Sequence, residues 1–227
     1  MCIPSLDYPY SDWPPYVKFG GTLPIKPWDS AFKTPWLEQI IASKASAENT
    51  GEARAKKVVM VTQGTVAITY SQLIVPTLAG LAERDDLIVV APLGARGAAL
   101  DSGTVRNTPK NAIVVDYCPY DELLPYTDVL VTNASYGVFQ HSVANGVPSV
   151  MACSSEDKPE VAMRAERVGL AINLRTGTPS PEMVAAAVGK VLEDPRYAMR
   201  AQELKKEAEE FDTLGTVERE MLALVET

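Results

Sequence analysis

The sequence has 227 residues, of which 46% are hydrophobic and 22% are charged; this composition excludes a wholly disordered chain and suits one large domain. The net charge of −8 argues against a broad contact with DNA or RNA, and no apolar run approaches the ~20 residues of a membrane-spanning helix. Three widely spaced cysteines, Cys2, Cys118 and Cys153, match neither a disulfide framework nor a zinc site, and the N-terminus lacks a signal-peptide core. We therefore expect a soluble protein of the cytoplasm.

Several common site chemistries have no support in this sequence. There is a single histidine, His141, so a site that needs two or more histidines is excluded. Asp-x-Asp, GxGxxG and GxxxxGK[ST] are all absent, which removes the usual metal, dinucleotide and P-loop fingerprints. We expect no metal and no resident cofactor.

The first 56 residues predict an arm and a linker. Prolines that oppose helix formation are spread through this segment: Pro4, Pro9, Pro14, Pro15, Pro24, Pro27 and Pro35. Aromatic residues alternate with them: Tyr8, Tyr10, Trp13, Tyr16, Phe19, Trp28 and Trp36. So many aromatic side chains favour an extended segment laid over a larger body, whether or not that body is part of the same chain. We expect a short helix over 36–42 and a mobile loop over 43–56.

The remainder, 57–227, alternates apolar runs with helical patterns. Buried strands are predicted at 58–62, 87–91, 112–115, 129–132, 147–152 and 170–174. Helices are predicted at 71–82, 136–144 and 161–168, and three more begin near 181, 195 and 217. This alternation predicts an α/β fold with a parallel sheet flanked by helices.

Ligands of open parallel sheets bind at the carboxyl ends of the strands. Two strand-to-helix junctions, 63–65 and 132–137, are rich in small and polar residues. Backbone N–H groups at such junctions bind phosphate well. The alternative is that both segments are ordinary caps and turns.

A set of motifs resembles the donor-binding signature of the GT-B fold UDP-glycosyltransferases, in particular their bacterial and fungal branch. The set comprises Asp116-Tyr117-Cys118-Pro119-Tyr120, Leu123-Leu124-Pro125, the segment 129–140, Gly146-Val147-Pro148 and Glu156-Asp157-Lys158-Pro159. Its order and spacing match over almost the whole chain, and Asp12, Pro14, Pro15, Val17, Phe19 and Gly20 resemble the segment that joins the two domains of the family. The resemblance implies one Rossmann-like half of a GT-B fold with an extended N-terminal arm and closing C-terminal helices.

The resemblance also implies a set of donor-binding residues. They are Gly64, Thr65, Tyr117, Cys118, Asn133, Ser135, Tyr136, Gly137, His141, Asp157 and Lys158. The aromatic ring of Tyr117 would stack on uracil, and the Cys118 backbone would bond the edge of the base. The alternative for Tyr117 is a residue that caps a strand.

The other residues of that set would hold the rest of a UDP-sugar. Asn133, the backbone amides of 135–137 and the 64–65 turn would face the diphosphate. His141 would bind the ribose hydroxyls at a position where the family has Glu, unless it is a plain helix residue. Asp157 and Lys158 would bind the sugar hydroxyls, unless they are only a charged helix start.

Two departures from the family pattern bear on function. Ala134, Ser135 and Val138 replace glycines of the family branch, and the bulk of Val138 is expected to crowd the diphosphate. The family's catalytic base is a His in the amino-terminal acceptor domain, and this chain begins where that domain should be ending. We therefore expect no catalytic residue in this chain.

Three hypotheses follow. In the first, the chain is the donor-binding half of a glycosyltransferase that passes a hexose from a UDP-sugar to a small molecule with inversion. An amino-terminal acceptor half would come from a longer gene product or a separate subunit. The partners expected are a UDP-sugar and either such an N-terminal acceptor-domain subunit or a second copy of the chain. In the second, it is a non-catalytic nucleotide-binding or interaction module derived from such an enzyme. An unrelated α/β epimerase or hydrolase is the third, and the absence of GxGxxG and GxSxG disfavours it.

Overall fold

Six parallel strands form one sheet in the computed structural model, which describes residues 2–25, 34–50 and 56–225. The strands are β1 Lys57–Thr62, β2 Leu87–Pro92, β3 Ala112–Val115, β4 Val129–Thr132, β5 Ser149–Met151 and β6 Ala171–Asn173. Their order across the sheet is β3-β2-β1-β4-β5-β6, and every neighbouring pair is parallel. This is the strand order of the Rossmann fold, so the predicted fold class and all six predicted strands are confirmed.

The central strand β1 explains why these apolar runs form a sheet. Val59 and Val61 are buried on one face, against the helices Ile74–Gly80 and Pro181–Glu193, whereas Val58 and Met60 are buried on the other face with Leu130 of β4. Since successive side chains of a strand point to opposite faces, a continuous apolar run is buried on both sides only when helices cover both faces.

Helices cover the sheet and extend from it. They are α1 Pro35–Thr50, α2 Ile74–Gly80, α3 Ser102–Arg106, α4 Tyr120–Leu123, α5 Tyr136–Asn145, α6 Lys158–Arg167, α7 Pro181–Glu193, α8 Pro195–Glu209 and α9 Thr213–Val225. All the predicted helices are present, although the segment predicted over 71–82 is divided between a short 3-10 helix, Tyr70–Gln72, and α2. The short helices α3 and α4 were not predicted.

The mobile loop predicted over 43–50 is wrong, because α1 continues to Thr50. Alanine and glutamate in this stretch are good helix formers, which the small and polar composition obscured. Lys44 also anchors the helix, since its Nζ lies 2.6 Å from Oδ2 of Asp128. The rest of the predicted loop, 51–55, lies outside the described residues.

The end of α5 follows from local sequence. Gly146 adopts the left-handed conformation with φ +66°, and its N–H bonds the carbonyl of Val143. The N–H of Val147 reaches back to the carbonyl of Ser142 at 2.9 Å, which completes a Schellman motif. The glycine thereby stops α5 and directs the chain into β5.

The beginning of the arm is part of the core of this chain. Ile3 and Leu6 are fully buried among side chains of α5, α6 and α8, and Asp7 forms an ion pair with Arg164. The expectation of a segment laid over a larger body is thus confirmed for these residues, and that body is the same chain. Pro4–Leu6 form a short 3-10 helix, contrary to the expected extended arm, because proline is tolerated at the first position of a helix.

The later part of the arm is more exposed. Tyr10, Trp13 and Phe19 make successive edge-to-face contacts with centroids 5.1 and 5.3 Å apart, and Tyr16 is 82% exposed. Pro27 and Trp28 lie outside the described residues. No helix in the described part of the chain is both long and apolar enough to cross a lipid bilayer.

Candidate functional site

A cavity of about 650 Å³ lies at the carboxyl ends of the strands. Residues that follow β1, β4, β5 and β6 line it. β1 and β4 are the neighbouring strands at which the strand order reverses, and ligands of open α/β sheets bind at this point. The volume lies within the ~300–1,000 Å³ typical of small-molecule sites.

The loop after β1 is held by a buried amide. Oε1 of Gln63 accepts hydrogen bonds from the N–H groups of Leu73 and Ile74, at 3.2 and 3.1 Å, at the start of α2. Its Nε2 donates to the carbonyls of Ala67 and Thr69 within the same loop. Gln63 thus takes a structural role, and it lines the cavity together with the next two residues, 64 and 65.

The loop after β4 is joined to the loop after β1. Nδ2 of Asn133 donates to the carbonyl of Gln63 at 2.8 Å, and Oδ1 of Asn133 accepts from the N–H of Ser135 at 3.3 Å. Ala134 is buried in the left-handed conformation with φ +61°, which favours the glycine that the family pattern has there. One amide hydrogen of Asn133 is therefore committed to the fold, and its second remains for a ligand.

The start of α5 faces the cavity. Ser135 is the N-cap residue of α5, but its side chain makes no capping hydrogen bond. The first N–H groups of a helix have no partner within the helix, so those of α5 are left to bind an anion. Gly137 and Val138 line the cavity beside them, and a Cβ added at Gly137 would meet no atom within 4 Å.

His141 lies on α5, one helical turn beyond Gly137, and it also lines the cavity. Its Nδ1 is 2.7 Å from Oδ1 of Asp121, and its ring stands perpendicular to the ring of Tyr120 at 5.6 Å. The hydroxyl of Tyr120 is 3.0 Å from Oγ1 of Thr62, and burial raises the pKa of this tyrosine. These contacts hold the imidazole at the cavity wall.

The loop after β5 contributes the charged groups. Lys158 is the only Lys or Arg on the cavity wall in the described part of the chain, and it forms an ion pair with Glu156. Cys153 lies on the same wall, and burial raises the pKa of its thiol. Asp157 is exposed and precedes α6 without capping it through its side chain. The start of α5 and the ammonium of Lys158, which is paired with Glu156, are the groups of this wall that can bind an anion.

The structure gathers seven of the eleven predicted site residues around this cavity. They are Gly64, Thr65, Asn133, Ser135, Gly137, His141 and Lys158. Four others do not line it: Tyr117, Cys118, Tyr136 and Asp157. The binding roles of all eleven stay predictions.

Three of those four residues have other surroundings in the fold. Tyr117 is half-buried beyond β3, with the guanidinium of Arg96 at 5.5 Å from its ring centroid. Cys118 is buried, which raises the pKa of its thiol to about 12. The ring of Tyr136 lies 6.2 Å from the ring of Phe139 and packs on the buried cluster that includes Cys2 of the arm.

Other residues on the cavity wall were missed as site residues. They are Gln63, Val66, Ala67, Gln72, Tyr120, Ala152, Cys153, Ser154, Ser155, Glu156, Gly177 and Thr178. Residues 152–156 directly follow β5, so the rule that carboxyl ends of parallel strands share one edge could have found them. Val66 and Gln72 had no such signal, because their position depends on the path of a loop. Among the described residues, no group of three or more His, Cys, Asp or Glu side chains could hold a metal ion.

Solved structures that match this fold include glycosyltransferases. The chain superposes on the glycosyltransferase VinC in complex with DTDP with a TM-score of 0.70 at 20% identity, covering 99% of this chain and 51% of VinC. It also matches the glycotransferase of kitacinnamycin with a TM-score of 0.59 at 28% identity, covering 70% of this chain and 41% of that one.

Curated relatives share more sequence. The chain is 47% identical over 224 residues to UDP-glucosyltransferase 1 of Beauveria bassiana (strain ARSEF 2860), covering 98% of this chain and 46% of that protein. It is 41% identical to UDP-glucosyltransferase A1 of Starmerella bombicola, with 96% of this chain and 44% of that protein covered. The chain thus spans just under half the length of these relatives.

A family model covers most of the sheet and the helices around the cavity. Residues 76–221 match the model described as Erythromycin biosynthesis protein CIII-like, C-terminal domain. The match includes the junction after β4, α5 and the loop after β5, which line much of the cavity. The chain therefore belongs to the EryCIII-like C-terminal domain family of the UDP-glycosyltransferases, with the Rossmann-like fold of a GT-B C-terminal domain.

Proposed function

We propose that the cavity binds a UDP-sugar and that the chain is the donor-binding half of a glycosyltransferase. The observation that carries the proposal is the position of the cavity at the reversal of strand order, over the start of α5, with seven predicted donor-binding residues on its wall. The names of the UDP-glucosyltransferase relatives support a hexose donor.

The chemistry of the wall suits a diphosphate without a metal. The partial positive charge at the start of α5 favours an anion by roughly 0.3–1 kcal/mol, and the free N–H groups add hydrogen bonds. Lys158, the first residue of α6, adds an ammonium group on the cavity wall, where it is paired with Glu156. We include in the proposal that the diphosphate binds without a metal ion.

Transfer with inversion needs a base beside the acceptor hydroxyl. The only histidine of the chain lies in the donor cavity, bonded to Asp121, and we assign it to the donor rather than to the acceptor. The base would come from an amino-terminal acceptor domain, in a separate subunit or a longer product, and the acceptor would be a small molecule.

Exposed apolar side chains support a contact with such a domain or with a second copy. Leu214, Met221 and Leu222 on α9 and Leu23 in the arm are each more than half exposed. Large apolar side chains exposed on one helix and in the arm are of the kind that interfaces bury. We further propose a cytoplasmic location, which the three free, buried cysteines support, since a reducing compartment keeps thiols free.

Calorimetry tests the donor site. We expect the 227-residue chain to bind UDP and UDP-glucose with micromolar affinity. Tyr117 lies outside the cavity wall, but the family resemblance assigns the uracil ring to it, so Tyr117→Ala should abolish binding. Tyr16→Ala, which removes the same type of ring from an exposed position in the arm, is the control and should bind as the wild type does. The chain incubated alone with UDP-glucose and diverse acceptors should form no glycoside; robust transfer would contradict the assignment as a half-enzyme.

Val138 favours a second candidate function. Its side chain is 5% exposed and lies on the cavity wall where the family branch has glycine. If it excludes the diphosphate, the chain is a non-catalytic module that interacts through its surface. The absence of UDP binding at millimolar ligand would support this candidate, particularly if Val138→Gly restored binding.

A further inference from the structure

His141 and Asp121 form a pair that neither the family resemblance nor the comparisons assign. They are 20 residues apart in sequence, on α5 and α4, and Nδ1 of His141 is 2.7 Å from Oδ1 of Asp121. The imidazole is 40% exposed and lines the cavity, whereas the carboxyl is 17% exposed and does not. Asp121 therefore lies behind the ring as seen from the cavity.

The chemistry of this pair decides which nitrogen carries the proton. An ionised carboxylate can only accept hydrogen bonds, so the hydrogen in this contact must be on Nδ1. In neutral imidazole the other nitrogen is then a hydrogen-bond acceptor. In the described part of the chain, no protein group bonds Nε2 of His141.

One further contact of the ring opposes its rotation, and a separate hydrogen bond fixes the backbone of this turn of α5. The ring of Tyr120 stands perpendicular to the imidazole at 5.6 Å, and Tyr120 is itself held by Thr62. The backbone carbonyl of His141 accepts from Nδ2 of Asn145 at 2.9 Å, which ties this turn of α5. A ring flip would break the bond to Asp121, so Nε2 stays on the cavity side.

We propose that Asp121 is a positioning residue that locks His141 in the Nδ1-protonated form and presents Nε2 to the cavity as an acceptor for a ribose hydroxyl. This inference rests on the proposed function, since it concerns the nucleotide of the donor. It adds a selection: the site favours a ribonucleotide over the corresponding deoxyribonucleotide.

Nitrogen NMR tests the protonation state without ambiguity. His141 is the only histidine among the 227 residues, so selective ¹⁵N-histidine labelling gives one pair of ring signals. In mildly alkaline buffer the wild type should show a protonated Nδ1 and an unprotonated Nε2. Asp121→Asn should shift the tautomer population, because an amide can donate as well as accept. Glu122→Gln removes the same charge from the same turn and should leave the signals unchanged.

Calorimetry with UDP, 2′-deoxy-UDP and 3′-deoxy-UDP tests the selection. One neutral hydrogen bond corresponds to about two- to tenfold in affinity, so at least one deoxy analogue should bind that much more weakly to the wild type. Asp121→Asn and His141→Ala should reduce this preference, whereas Glu122→Gln should keep it. The comparison of UDP with its deoxy analogues uses the wild-type protein, so it tests the ribose selection even if Asp121→Asn does not fold.

Each outcome has a separate meaning. Equal binding of UDP and both analogues overturns the inference and leaves the proposed donor site intact. Failure of UDP to bind overturns the proposed function, and the ribose selection with it. A wild-type ring protonated on Nε2 overturns the role of Asp121 whatever the affinities are.

Discussion

Gly137 is the second residue of α5 and lies on the cavity wall, where an added methyl group would meet no atom within 4 Å. Because the Cα–Cβ bond of a helical residue tilts toward the helix N-terminus, Gly137→Ala directs its methyl group toward the N–H groups that would bind the diphosphate. The methyl group meets no protein atom, so the fold accommodates it. It would, however, occupy the space of a phosphate oxygen that is hydrogen-bonded to those N–H groups.

The expected loss is one charge-assisted hydrogen bond. Such bonds contribute about 1.5–3 kcal/mol, which corresponds to roughly 10- to 100-fold weaker binding of UDP. The free energy of unfolding should not fall, since alanine is preferred to glycine in a helix by up to ~1 kcal/mol. The two effects have opposite signs, so a binding loss cannot be attributed to unfolding.

Gly189→Ala is the matched control. Gly189 lies within α7, where an added Cβ also meets nothing within 4 Å, but it does not line the cavity. We expect this variant to gain roughly 0.5–1 kcal/mol of stability in urea unfolding and to bind UDP as the wild type does in calorimetry. Equal UDP affinity of Gly137→Ala and wild type would refute the assignment of the diphosphate to the start of α5.

Three further predictions concern the fold. Leu6→Ala should lower the free energy of unfolding by about 2–5 kcal/mol in urea titration, because Leu6 is fully buried although it lies near the N-terminus. Tyr16→Ala, at an exposed position, should change this free energy by less than about 0.5 kcal/mol. Equal losses in the two variants would contradict the packing of the arm. Burial by itself would raise the pKa of Asp128, but hydrogen bonds from Lys44, Lys57 and the Val58 N–H lower it overall. Its contribution to stability is therefore present above the ordinary aspartate pKa and is lost as pH falls through the lowered one, so stability should decrease below about pH 4, and less steeply in Asp128→Asn. Burial raises the pKa of Cys118 to about 12, so iodoacetamide should label this thiol slowly in the native protein at neutral pH and rapidly in urea; fast native labelling would contradict its burial.

Local sequence predicted most of the elements, and the exceptions have identifiable causes. The strands were readable because each is a short apolar run between turn residues, and the helix predicted over 136–144 ends within one residue of α5. The stretch 43–50 was misjudged, since its helix is anchored by the distant Asp128. The 3-10 turn at Pro4–Leu6 was missed because the apolar residues that hold it lie in α5, α6 and α8.

The sequence also predicted some features of the candidate site and not others. Gly64, Asn133 and Ser135 were predictable as site residues because they follow strands whose ends share one edge of the sheet, and the resemblance added His141 and Lys158. No periodicity or motif indicated the bond between Gln63 and Asn133, whose positions are 70 residues apart.

The sequence by itself determined the fold class, the order of the elements and the family, because apolar periodicity, caps and motif spacing are properties of neighbouring residues. Only the tertiary structure decided that β1 lies beside β4, that a cavity opens between their loops, and that Asp121 lies behind His141. These are distances between segments far apart in the chain, and they depend on how the helices pack on both faces of the sheet, which no local pattern specifies.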